Sequence, residues 1–314
     1  MKDQTTSETD GTRPAGAGLP ARRMPVGAEV VPGGVHIRVW APRRRRVAVV
    51  VETPDALKHT PPIPLEAEAD GYFSGLVPGA GAGTYYRVRL DDDAPLYPDP
   101  TARFQPEGPH GPSEVVDPSA FAWHDSDWKG VRLPGQVVYE LHVGTFTPEG
   151  TWKAAERELP ALADLGVTVV ELMPVADFPG RFGWGYDGVN LFAPTRLYGR
   201  PDDFRRFVDR AHALGIGVLL DVVYNHLGPD GAYLPVFAPM FTDRHHTPWG
   251  QTMNLDDEHG DGVRALFIDN ALHWLREYHF DGLRLDATHA LVDERPTHFL
   301  AELSEAVAAL ESLP

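Results

Sequence analysis

The sequence predicts an α/β protein: an N-terminal β-sandwich followed by the first half of a (β/α)8 barrel, about four βα units. Three observations predict it. Residues 24–105 carry short alternating or β-branched runs separated by Gly, Pro and Asp clusters, the rhythm of an antiparallel sandwich. From Gly135 onward strand patterns alternate with helix patterns, which implies a parallel sheet with helical crossovers. No glycine-rich phosphate loop follows the first of those strands, as a doubly wound dinucleotide fold would require. Each strand instead leads into a long polar loop on the same side, where a (β/α)8 barrel builds its active site.

Residues 1–23 are rich in Thr, Gly and Ala and contain no apolar segment, so they read as a disordered tail and not as a signal peptide. Within 24–105, "GVHIRVW" and "GTYYRVRL" alternate apolar and polar residues and "RVAVVV" is β-branched, all strand signatures. Residues 106–134 are rich in Pro and Asp and read as a linker packed along the surface. The barrel portion, 135–314, opens with the strand "QVVYELHV" and a helix capped by Thr151 and stopped by Gly166. There follow the strand "VTVVELMPV", the helix "PDDFRRFVDRAHALG", the strand "IGVLLDVV", the helix "GVRALFIDNALHWLREYH" and the strand "FDGLRLD". A last helix carries Phe299, Leu300, Leu303, Val307 and Leu310 as one stripe. With four strand–helix units before Pro314 the expectation is half a barrel, with open sheet edges and poor solubility.

Composition excludes several classes of function. Against 45 Asp+Glu stand 28 Lys+Arg, a net charge of −17, which disfavours a nucleic-acid partner. The run Arg43–Arg46 precedes "VAVVV" and reads as a solvated turn. The absence of cysteine excludes disulfides and thiolate metal sites. Apolar runs of five or six residues are too short to cross a bilayer, so a cytoplasmic protein without a membrane partner is expected.

The chemistry collects at strand ends. Side chains alternate along a strand, so Arg284 and Asp286 point one way while Leu283 and Leu285 point the other. The leucines suit the helix-facing layer, which turns the charged pair toward the barrel axis. The same parity puts Asp221 at the end of "GIGVLLD", with Asn225 and His226 in the loop beyond. An arginine beside Asp286 favours the carboxylate form, suited to a nucleophile or an electrostatic stabiliser, although a structural ion pair explains the pair alone equally well. In "GWGYDG", Tyr186 is the candidate platform for a sugar ring and Trp184 is expected to be buried as the anchor of its loop. His245 and His246 are adjacent, so they point in different directions, and no third ligand stands nearby in sequence. A metal is therefore not expected at this pair, nor at Asp221 with His226, and no cofactor is expected.

These residues give the chain its resemblance. "DVVYNH" and "DGLRLDATH" resemble the first two signature segments of the α-amylase superfamily, glycoside hydrolase family 13. "GVHIRVWAP" resembles the start of the sandwich that precedes the barrel in its branching and debranching members. Within the family, "YELHVGTFTPEGT", "ELMPVADFPGRFGWGYDG" and "DVVYNHLGPDGAYL" are similar to members that release trehalose from malto-oligosyltrehalose. The resemblance implies retaining cleavage of the α-1,4 bond between trehalose and a malto-oligosaccharide, with malto-oligosyltrehalose synthase as pathway partner. It implies Asp286 as nucleophile, Arg284 as the residue that orients it, and His226 and Tyr186 as contacts of the sugar at the cleavage subsite. Asp221 closes the third strand, and Thr288 and His289 would line the leaving-group side. The family's general-acid glutamate and stabilising aspartate would follow the fifth and seventh strands, beyond Pro314, so the chain alone is expected to be inactive. A glucan-branching transglycosylase and a non-catalytic glucan-binding protein are the alternatives. Branching enzymes usually carry alanine where Asn225 stands, which counts against the first.

Overall fold

The computed structural model describes residues 22–52, 60–247 and 250–310. The expected disordered tail lies almost wholly outside the described residues. Eight strands come first: β1 (Gly27–Val31), β2 (Gly34–Trp40), β3 (Val47–Glu52), β4 (Ile63–Pro64), β5 (Glu66–Ala67), β6 (Tyr72–Pro78), β7 (Tyr85–Leu90) and β8 (Ser113–Glu114). They form two antiparallel sheets, β1-β2-β6-β5 and β4-β3-β7-β8. Alternation decides which side chains face inward: Val35, Ile37 and Val39 of β2 meet Val47 and Val49 of β3 and Tyr86, Val88 and Leu90 of β7 in one core. β8 falls in the stretch read as a linker and extends the second sheet by pairing with β7.

The second region contains β9 (Val138–Leu141), α1 (Val143–Phe146), α2 (Trp152–Leu165), β10 (Val169–Leu172), β11 (Ala176–Asp177), β12 (Asn190–Pro194), α3 (Pro201–Ala213), β13 (Gly217–Val222), α4 (Leu234–Phe237), β14 (Phe241–Thr247), β15 (Gly250–Met253), α5 (Gly260–Glu277), β16 (Gly282–Leu285) and α6 (Phe299–Ala308). Strands β9, β10, β13 and β16 make one all-parallel sheet in the order β16-β13-β10-β9, the β/α half of a barrel. Thr151 caps α2 by accepting from the Ala154 amide, and Gly166 ends it at φ 93°. The stripe on α6 packs on the main core as predicted. Two small hairpins, β11–β12 and β14–β15, lie in stretches read as loops. No described helix is long and apolar enough to cross a membrane.

Two devices lock the parts together. Trp40 of the sandwich is buried in the barrel's core cluster, and Phe237 of α4 is buried in the sandwich's. Gly262 on α5 makes room for this exchange, since a Cβ there would lie 2.0 Å from the Trp40 ring. At the N-terminal end of the parallel strands, the segment before β9 forms a strap. Asp125 accepts from His212 at 2.9 Å and from His279 at 2.8 Å, and Trp123 and Trp128 stack on those two imidazoles. Asp281 continues the network to His212, Trp128 and the Val218 amide.

Candidate active site

The site stands at the opposite end, where the strands run out. Val218, Leu220 and Val222 of β13 enter the helix-facing core, and Leu283 and Leu285 of β16 pack against it. Leu219 and Asp221 therefore face the axis, as do Gly282 and Arg284, and the register sets Asp221 beside Arg284. One Arg284 nitrogen, Nη1, donates to Asp221 Oδ2 and to Asp286 Oδ1, both at 2.8 Å. The backbone continues the β pairing for one residue, with the Asp286 amide donating to the Val222 carbonyl at 3.0 Å. It then turns sharply through Ala287, a non-glycine residue at φ 41°. Such a conformation is strained and tends to occur where side-chain placement matters.

Around this pair the predicted residues close into one network. Tyr186 donates its hydroxyl to Asp221 Oδ2 at 2.9 Å. Asn225 Nδ2 reaches Asp286 twice, at its Oδ2 (3.1 Å) and its carbonyl (3.0 Å). The His226 ring is set between the Asn225 side-chain oxygen and the Tyr186 carbonyl, 2.7 Å from the latter. Arg284 thus joins Asp286 to Asp221 and Tyr186, and Asn225 joins His226 to Asp286. Thr288 and His289 stand just beyond, both exposed, in the turn Thr288–Ala290, whose last residue is buried.

Burial and charge act in opposite directions here. Burial raises the pKa of Asp221 above the ordinary carboxylate value, although Arg284 and Tyr186 oppose it. Its Oδ1 is buried without a hydrogen-bond partner. The Arg284 guanidinium rises because its hydrogen bonds to Asp221 and Asp286 outweigh its burial. Tyr186 is raised by burial and by donating to Asp221. One layer deeper, Glu171 of β10 stands in register with Glu140 of β9 and with Leu219. Burial, with the charges of Glu140 and Asp221, raises Glu171.

The loop that carries Tyr186 corrects one expectation. Trp184 is 76% exposed and anchors nothing by burial. Phe178 is the buried anchor, its ring filling the place a Cβ on Gly183 would take, while the Gly183 and Tyr186 carbonyls are tied to His142 and His226. Gly185 sits at φ 98° with the space for a Cβ 2.0 Å from the Pro174 carbonyl oxygen, so no other residue fits between the two ties. His142, which also bonds the Tyr198 hydroxyl at 2.9 Å, was missed in the sequence. Its position at the end of β9, equivalent to Asp221 at the end of β13, was the available signal.

Two families match the two regions in order: carbohydrate-binding module 48 (isoamylase N-terminal domain) over residues 25–118 and the alpha amylase catalytic domain over residues 115–236. The chain belongs to the α-amylase superfamily. Among the superfamily's curated members, malto-oligosyltrehalose trehalohydrolase of Deinococcus radiodurans is 47% identical over 92% of this chain and 46% of its own length. The protein of that name from Saccharolobus solfataricus is 42% identical over 90% of this chain and 49% of its own. The chain spans about half the length of these curated relatives. A crystal structure from Salmonella typhimurium, provisionally titled an alpha amylase, superposes with a TM-score of 0.84 at 43% identity, over 92% of this chain and 48% of that one. A pullulanase from Anoxybacillus, at a TM-score of 0.78 and 23% identity over 91% of this chain and 46% of that one, shares the fold.

Proposed function

We propose that this chain supplies the nucleophile half of a retaining glycosidase that cleaves the α-1,4 bond between trehalose and a malto-oligosaccharide. The observation that carries the reading is the grip on Asp286: Arg284 holds Oδ1, and Asn225 holds Oδ2 and the backbone carbonyl. Oriented and charge-stabilised in this way, the carboxylate attacks the anomeric carbon and forms a glycosyl–enzyme ester as the C–O bond to the leaving sugar breaks. His226 and Tyr186 bind the sugar that is attacked. Thr288 and His289 face the leaving group. The names of the curated relatives support trehalose as product, and a malto-oligosyltrehalose synthase would supply the substrate.

Retaining hydrolysis needs a second, protonated carboxyl group roughly 5–5.5 Å from the nucleophile. Asp221 has one oxygen committed to Arg284 and Tyr186, and Glu171 and Glu140 lie a layer deeper. We therefore assign the proton donor to a glutamate outside this chain, which makes the chain inactive alone. The test is trehalose release from a malto-oligosyltrehalose by this chain and its Asp286→Asn variant, each with and without a co-expressed second barrel half from a relative. Release by the wild type only when the second half is present, and never by Asp286→Asn, is the expected result. Release by Asp286→Asn in the completed barrel would exclude Asp286 as nucleophile. Release by the isolated wild-type chain would remove the need for an external acid.

A further inference from the structure

Beside the rim, three chain segments converge on nitrogen and carboxylate donors that the proposed reaction does not use. His245 comes from β14, Asp256 from the loop between β15 and α5, and Glu294 from the loop between β16 and α6. One donor atom of each lies within 4.8 Å of the other two. The Asp256 side chain is 1% exposed. Its Oδ2 lies 2.9 Å from His245 Nε2 and accepts from the Glu294 amide at 2.9 Å, while its Oδ1 is buried with no hydrogen-bond partner. An unpaired buried carboxylate oxygen is costly, and a ligand would remove that cost.

Arg244 offsets the charge of the acids without satisfying that oxygen. Its guanidinium donates to Glu294 at 2.8 Å and to the Asp256 backbone carbonyl at 3.1 Å, but it stands 3.8 Å from the Asp256 carboxylate, and its side chain is half exposed, so solvent can replace both bonds when it withdraws.

We propose that His245, Asp256 and Glu294 form a divalent-cation site for a borderline ion of the zinc type. One imidazole nitrogen and two carboxylate oxygens suit zinc, which leaves a further position for water. Calcium and magnesium take oxygen-rich shells of six or more ligands. Binding requires His245 to present the Nε2 lone pair, with a ring proton on Nδ1 only, while Arg244 withdraws. The ion would join the β14–β15 hairpin to the loop that leaves the nucleophile strand.

The experiment is calorimetric titration of the metal-stripped chain with zinc chloride, in parallel with His245→Ala, Glu294→Gln and Arg244→Ala. One zinc per chain is expected, with affinity lowered about tenfold or more in His245→Ala and Glu294→Gln. Arg244→Ala should bind more tightly, because the competing cation is gone, and excess magnesium should not displace the zinc. Glu294 is 60% exposed, so its variant keeps the fold and isolates the ligand effect. Absence of binding would overturn the proposal. So would equal binding by all four proteins, which would mean adventitious zinc on others of the chain's 14 histidines. Weaker binding by Arg244→Ala would also overturn it, because it would make the guanidinium part of the cluster's architecture and not a competitor.

Discussion

Arg284 carries more of the site than any other side chain, because a single guanidinium nitrogen serves two carboxylates. Asp221 is fully buried while Arg284 is partly solvated, so removing the arginine strands a charge in low dielectric. Arg284→Met is expected to destabilise the chain by about 3 kcal/mol, the lower end of the range for breaking a buried pair because one partner is wetted. Tyr186→Phe removes one neutral donor from the same oxygen and should cost about 1 kcal/mol. Urea denaturation of both variants at pH 7 checks the ranking, and the opposite order would make the hydroxyl the main partner of Asp221. Much of this site could be read from the sequence. A strand's period of two put Arg284 and Asp286 on one face, and the same parity brought Asp221 to the rim. That Asn225 grips Asp286 was not legible, since it depends on how a loop between two strands folds back. Nor was the exposure of Trp184, because the carbonyl ties that pin its loop leave no trace in side-chain pattern.

At the scale of elements, the helix and strand periods located all four parallel strands and the helices between them. Apart from the seven-residue β6, what they missed was short or irregular. β1 and β6 were passed over, β11–β12 and β14–β15 looked like loops, and β8 was hidden in a Pro-rich stretch because two residues carry no period. Helix ends were legible where the caps are chemical, as at Thr151 and Gly166. Those caps still matter less to stability than packing. Trp152 on α2 stacks on Phe204 of α3 at 3.8 Å between ring centres and 10° between planes, fully buried. Trp152→Ala is expected to cost about 3–5 kcal/mol, and Thr151→Ala about 1 kcal/mol through the lost cap. Thermal unfolding of the two variants separates them, and equal losses would mean that the α2–α3 seam relaxes around the missing indole.

Across the whole molecule, the Trp40–Phe237 exchange couples the two regions, which are expected to unfold together. Gly262→Ala should destabilise the chain by at least about 1–3 kcal/mol, because the new methyl group meets the Trp40 ring with no free space. A single transition shifted in both near-ultraviolet and far-ultraviolet signals is expected, and separate shifts would show that the regions melt independently. The strap at the other end of the strands makes stability depend on pH from both sides. Burial alone would raise Asp125, but hydrogen bonds from His212 and His279 hold it well below the usual carboxylate range. Burial alone would lower His212, but Asp125 and Asp281 raise it above 6.5. The Asp125 contribution is present above its unfolded value of 3.8 and is lost only in stronger acid, as pH falls through its depressed folded value. The His212 contribution is complete below 6.5 and is lost as pH rises through its elevated folded value. Stability compared with His212→Gln should therefore show its largest margin between about pH 4 and pH 6.5. A margin that grows from pH 6.5 to pH 9 would exclude a charged histidine in the strap.

The strap and the rim that carries Asp286 occupy opposite ends of the same strands. An engineer can therefore alter heat or acid tolerance at Trp123, Asp125 and Trp128 while leaving every donor around Asp286 in place, so durability and chemistry can be tuned separately in this scaffold.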